Sequence, residues 1–227
     1  MNISAPRVRA VLFGPTAPLG HVQSGIDKQP VAGPHPVDPL GLRGDEQGDT
    51  RAHGGIDKAV HVYPWSHYAW WRERDPQQPL FERPGAFGEN LSVEGLDESD
   101  VCLGDEWRIG TVRLVLTQGR QPCYRLNLRF GVPDMAAQVQ QSLRTGWYFR
   151  VLEPGMLAAG DVPELLRRPH PEYSVARVMA LIRDRVVDRD ALRPLLELPL
   201  TPSWRRLFTQ RLQRGQAEDW SRRLDGS

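Results

Sequence analysis

The sequence predicts a mainly β, barrel-like domain carrying a few helices and followed by a small α-helical unit. Three observations predict it. The first 165 residues are punctuated by Gly and Pro. Between these, short segments alternate with period two. From about residue 170 the apolar spacing becomes helical.

Taken in order, 7–13, 58–64, 89–93, 106–109, 112–118 and 161–166 read as strands. In 112–118, Val112, Leu114 and Leu116 fall on one face and Arg113, Val115 and Thr117 on the other. Gly110–Thr111 marks a tight turn between the two strands beside it. Two helices interrupt this pattern: 66–75, with Ser66 as a candidate cap, and 133–146, with Pro near its start and Gly at its end. Beyond 170, Val175, Val178, Met179, Ile182 and Val186 recur at helical spacing. Trp204, Leu207, Phe208 and Leu212 form a second stripe. The expected division is 1–168 for the β domain and 169–227 for a three-helix subdomain. Charge divides similarly, with 13 Arg against 8 acids in 165–227 and 16 Lys/Arg against 20 acids before it.

A net charge of +1 over 227 residues does not mark a chain built to bind nucleic acid. Arg205, Arg206, Arg211 and Arg214 read as the solvated outside of a helical bundle. No stretch approaches the roughly 18 apolar residues of a membrane span. The N-terminal apolar run is too short for a signal peptide, and two cysteines make no disulfide framework. The expected location is cytoplasmic, with reduced thiols and no membrane partner.

Three stretches have the residue types for chemistry. Cys123 follows Pro122 between Arg120 and Arg125, at a strand-to-loop corner. It is either a small buried hydrophobe or a thiolate stabilised by cations, fit to be a nucleophile or metal ligand. In 42–64, Gly54 and Gly55 can turn backbone N–H groups toward an anion, with Arg43, His53 and Lys58 adding charge; a polar hairpin loop explains the same residues. Glu89 and Asn90 follow Gly88 at a strand start, where they either meet a ligand or cap a turn. The histidines form no recognisable metal-binding spacing, and His61 reads as a packed strand residue.

In register, these stretches resemble the MOSC family, named for the C-terminal domain of molybdenum cofactor sulfurase. The matching motifs are LRGDEQxD (42–49), HGGxDKAV (53–60), YPxxHYxxW (63–71), FGENL (87–91), GD (104–105), RxPCYRL (120–126), GWY (146–148) and EPG (153–155). The tail resembles the three-helix extension of the YiiM-like subgroup. The resemblance implies a MOSC-type β-barrel that binds molybdenum cofactor (molybdopterin), with Cys123 as the metal ligand. Arg43, Lys58, Asn90 and Arg120, with His53, Gly54 and Gly55, are the candidate cofactor contacts. His53 and Glu89 are the candidates for proton delivery. It implies an oxidoreductase reducing N-hydroxylated small molecules, such as N-hydroxylated purine base analogues. The chain lacks the cysteines of an iron–sulfur domain, so electrons are expected from a separate reductase, such as a flavoprotein. The family pattern has Lys where this chain has Arg125, which keeps the charge but changes its geometry. A non-redox carrier of sulfur or cofactor on Cys123 fits the same residues, and a homodimer is left open.

Overall fold

A computed structural model describes residues 5–48 and 54–226. The N-terminal part contributes β1 (Arg7–Phe13), β2 (Ala17–Leu19), β3 (Val22–Ser24), β4 (Gln29–Pro30), β5 (His35–Asp38) and β6 (Gly41–Leu42). Then come β7 (Val60–Pro64), α1 (Ser66–Arg74), β8 (Leu91–Glu94), β9 (Glu106–Ile109) and β10 (Val112–Gly119). Helices α2 (Arg125–Phe130) and α3 (Met135–Ser142) lead to β11 (Trp147–Glu153), β12 (Gly155–Leu157) and β13 (Glu164–Arg167). The chain ends in α4 (Val175–Arg183), α5 (Arg189–Leu192), α6 (Pro202–Arg214) and α7 (Ser221–Leu224).

Eight strands form one curled sheet in the order β13-β9-β10-β11-β7-β8-β1-β4. Its pairs are antiparallel except β7 with β8. That parallel pair needs a long crossover, and α1 with the FGEN segment supplies it. The sheet is an open half-barrel, with the small β12-β5-β6 sheet beside it.

The alternation read in β10 is real. Val112, Leu114 and Leu116 are buried, and they join Val60, Val62, Trp147 and Phe149 of neighbouring strands in one apolar cluster. The same cluster continues into Val175, Val178, Met179 and Ile182 of α4 and into Trp204 and Phe208 of α6. The helical part therefore packs on the sheet as an extension of its core. Gly119 lets α4 approach closely, since a Cβ there would meet the Met179 side chain at 2.7 Å. A second, aromatic cluster of Tyr63, Tyr68, Trp71, Phe81, Phe87 and Phe130 lies behind the FGEN segment.

Two sequence expectations are corrected. Ser66 is the first residue of α1 rather than its cap; Trp65 holds the cap position without a side-chain bond. Arg211 does not face solvent but is 1% exposed, because α6 turns it onto the end of α4. Among the described residues, no helix is long and apolar enough to cross a membrane.

Candidate functional site

The end of β10 opens into a cleft enclosing about 570 Å³, part of it open to solvent. Strand register builds its floor. Tyr148 of β11 pairs with His61 of β7, and Gln118 of β10 pairs with Tyr148. The Tyr148 and His61 rings lie 5.0 Å apart as a result. Just past Gly119 the chain leaves the sheet, and Arg120 and Cys123 line the cleft with Arg125 at the start of α2. Cys123 is thus at the expected strand-to-loop corner. It is 8% exposed and borders the cleft rather than being sealed in hydrocarbon.

The opposite wall comes from two loops, around Ser24–Lys28 and Glu46–Gly48. They meet backbone to backbone. A Cβ on Gly25 would lie 1.9 Å from the Glu46 carbonyl oxygen, and one on Gly48 would lie 2.1 Å from that of Gln23. Only glycine permits this approach.

Asn90 ties floor to wall. Its Oδ1 accepts from the His61 amide at 3.0 Å, and its Nδ2 donates to the Leu12 carbonyl at 3.2 Å and to Asp45 Oδ2 at 3.0 Å. Asp45 also forms a buried ion pair with Lys28. Burial lowers the Lys28 pKa, against the pull of Asp45. Lys28 and Lys58 are the two lysines of the chain, and both line the cleft. With Arg120 and Arg125 they make four basic side chains at one small concavity, with Lys28 paired to Asp45 and Glu46 on the opposite wall.

Arg120 is 7% exposed. Its amide donates to the Gly146 carbonyl at 3.0 Å, and its side chain lies against Tyr148. Its Nη1 has no hydrogen-bond partner among the described residues. A buried guanidinium nitrogen left open costs free energy unless something fills it. His61 Nε2 is likewise unpartnered among the described residues by strict hydrogen-bond geometry. Burial first, and the Arg120 charge second, hold the His61 pKa well below the ordinary imidazole range, so the ring is neutral near pH 7. Glu98 fixes the start of β11 by accepting from the amides of Thr145 at 2.8 Å and Gly146 at 2.6 Å.

The sequence candidates divide. Cys123, Arg120, Lys58 and Asn90 come together here. Glu89 does not reach the cleft. Its carboxylate accepts from the amides of Gly85 at 2.8 Å and Phe87 at 3.2 Å and from the Tyr68 hydroxyl. Burial pushes its pKa up, and its bonds shape the FGEN turn. Arg43 points elsewhere, onto Asp38 at 3.0 Å in the exposed β5–β6 hairpin. Gly54 and Gly55 precede the Ile56–Lys58 turn without lining the cleft, and Gly55 takes φ 92° there. His53 lies outside the described residues.

Lys28, Asp45 and Tyr148 were not singled out in the sequence, while His61, read there as a packed strand residue, is indeed buried in β7 and also lines the cleft. One signal was available: the tetrapeptide Gly-Ile-Asp-Lys occurs twice, at 25–28 and 55–58, and each copy delivers its lysine to the cleft.

The MOSC domain family profile matches residues 49–164, about half of the chain. The chain belongs to the MOSC-domain family. A YiiM-like 3-alpha helix domain profile matches residues 174–215, from α4 into α6. Protein YiiM of Escherichia coli is 40% identical over 205 residues, 89% of this chain and 91% of that one. A Gibberella moniliformis protein named Reductase is 35% identical over 94% of this chain, which takes up 37% of that protein. The crystal structure of the Escherichia coli YiiM superposes with a TM-score of 0.79 at 34% identity, covering 96% of this chain and 98% of that one. YiiM from Geobacillus stearothermophilus gives 0.77 at 33%, covering 91% and 99%.

Proposed function

We propose that this MOSC-family cleft holds a molybdenum cofactor through the Cys123 sulfur and reduces N-hydroxylated small molecules. The observation that carries the reading is the cleft that Cys123 shares with the basic side chains of Arg120, Arg125 and Lys58. The donor set fits the group. A thiolate is a soft ligand suited to such a metal. A pterin with phosphate and dithiolene is anionic, and Arg120, Arg125, Lys58 and Lys28 are the cations that line this space.

The bound cofactor would supply the two-electron chemistry that cleaves an N–O bond. Reduction of a hydroxylamine-type group to an amine and water takes up two electrons and two protons. This chain would orient the substrate between the cations and the Tyr148–His61 floor. His61, a neutral ring on the cleft floor, is added to His53 as a candidate for the proton-handling part, since the Glu89 oxygens accept bonds within the FGEN turn. The electrons would come from a separate donor such as a flavoprotein. The name of the fungal relative agrees with a reductive role.

The test is molybdenum and pterin content of the purified chain, wild type beside Cys123→Ala, with turnover of an N-hydroxylated base analogue. Near-stoichiometric metal in the wild type, and loss of metal and turnover in the variant, are expected. Wild-type turnover by Cys123→Ala would sink the reading. A sulfur adduct on Cys123 by mass spectrometry, without turnover when a donor is supplied, would point to a sulfur carrier.

A further inference from the structure

The C-terminal end of the chain returns to the cysteine loop. The Tyr124 amide donates to the Arg223 carbonyl at 2.7 Å. The Arg223 guanidinium donates through Nη1 to the Pro122 carbonyl at 2.5 Å and through Nη2 to Gln140 Oε1 at 2.5 Å. Asn127 Nδ2 of α2 donates to the Leu224 carbonyl at 2.7 Å. The residues on both sides of Cys123, and the helix that follows, are thus fastened to α7.

α7 is itself braced. Trp220, just before it, donates from Nε1 to Glu218 Oε1 at 2.7 Å. Glu218 accepts twice from Arg211, at 2.8 and 2.9 Å. Arg211 in turn donates to the carbonyls of Leu181, Ile182 and Val186 at the end of α4. Arg185 stacks over the Trp220 ring at 4.3 Å. A continuous set of polar contacts therefore runs from the helical bundle to the turn that carries the thiol.

We propose that Arg223 is a positioning residue for Cys123, and that the C-terminal helices act as the brace holding this turn against the cleft. The proposal rests on the reading of Cys123 as the cleft's cofactor ligand only for its functional consequence. A lysine could not replace Arg223, because a single ammonium lacks the planar fork that reaches the Pro122 carbonyl and the Gln140 amide oxygen together. Coupling is reciprocal: a group bound at Cys123 would tighten α7 by the same factor that α7 tightens its binding.

The experiment is hydrogen–deuterium exchange on the full chain, purified without cofactor, for wild type, Arg223→Ala, Arg223→Lys, Gln140→Ala and Arg222→Ala. In Arg223→Ala, peptides across 120–128 should exchange about tenfold faster, while 112–118 of β10 stays as in wild type. Arg223→Lys should recover less than half of the lost protection. Gln140→Ala, which removes one acceptor, should give roughly a threefold effect and serves if Arg223→Ala does not fold. Arg222 is exposed, and its alanine variant should match wild type. Wild-type exchange across 120–128 in Arg223→Ala, or full rescue by lysine, overturns the proposal. These readouts need no metal, so a chain that never takes up molybdenum can still show the brace. A chain that loads molybdenum but shows no change in exchange refutes the brace alone.

Discussion

Two buried arginines, Arg120 at the cleft and Arg211 in the helical part, have nearly the same exposure and opposite surroundings. Arg211 has a carboxylate and three backbone carbonyls around its guanidinium. Arg120 keeps one nitrogen without a partner among the described residues. Burial alone therefore does not separate structural from functional charge. The separation lies in whether the fold completes the hydrogen bonds. In the helical part it does, and the arginine joins elements. At the cleft it stops short among the described residues, and on the proposed function an anion would complete the set.

The comparison is open to direct attack. Arg211→Ala strands Glu218 and three carbonyls and should destabilise the chain by about 3–5 kcal/mol in urea titration. Arg120→Ala should lower cofactor affinity about 10- to 100-fold, a loss of one charge-assisted contact, while shifting stability by less than about 1 kcal/mol. If the two variants lose stability equally, the distinction fails.

A smaller effect concerns His61. Its folded pKa is depressed, so below the ordinary imidazole value of 6.5 the unfolded chain takes up a proton that the folded chain refuses. Its contribution is whole above that pH and is lost as pH falls. Melts between pH 7 and 5 should show wild type losing stability faster than His61→Gln; parallel curves would mean that the ring protonates in place. The smallest effect is expected at Arg43, exposed and bound to Asp38, where alanine should leave both cofactor content and the melt unchanged.

The sequence made much of the sheet legible, because β1, β9 and β10 alternate with period two and their turns carry glycine. The short strands β2 to β6 were not, since proline or glycine interrupts four of the five and masks any alternation. α2 was missed for the same reason: six residues without a capping side chain leave no signal. At the site, Cys123 and Arg120 could be found because they stand three positions apart along the chain. Lys28 and Tyr148 could not, because only register and the meeting of distant loops bring them to the cleft. Glu89 and Arg43 stood in the motifs, yet here their side chains bond to the FGEN turn and to Asp38, because a motif residue can hold a turn as readily as a ligand. Arg223 lies a hundred positions from the thiol it faces, beyond the reach of any local pattern.

The wall formed by Gly25 and Gly48 has a consequence for how this slot can diversify. Its thickness is two peptide planes, with no side chain between them to enlarge or trim. Ordinary point exchange can repaint the surfaces on either side but cannot move the partition itself. A descendant admitting a bulkier guest would have to gain or lose residues in one of the two loops, so change there should come as insertions and deletions rather than as gradual replacement.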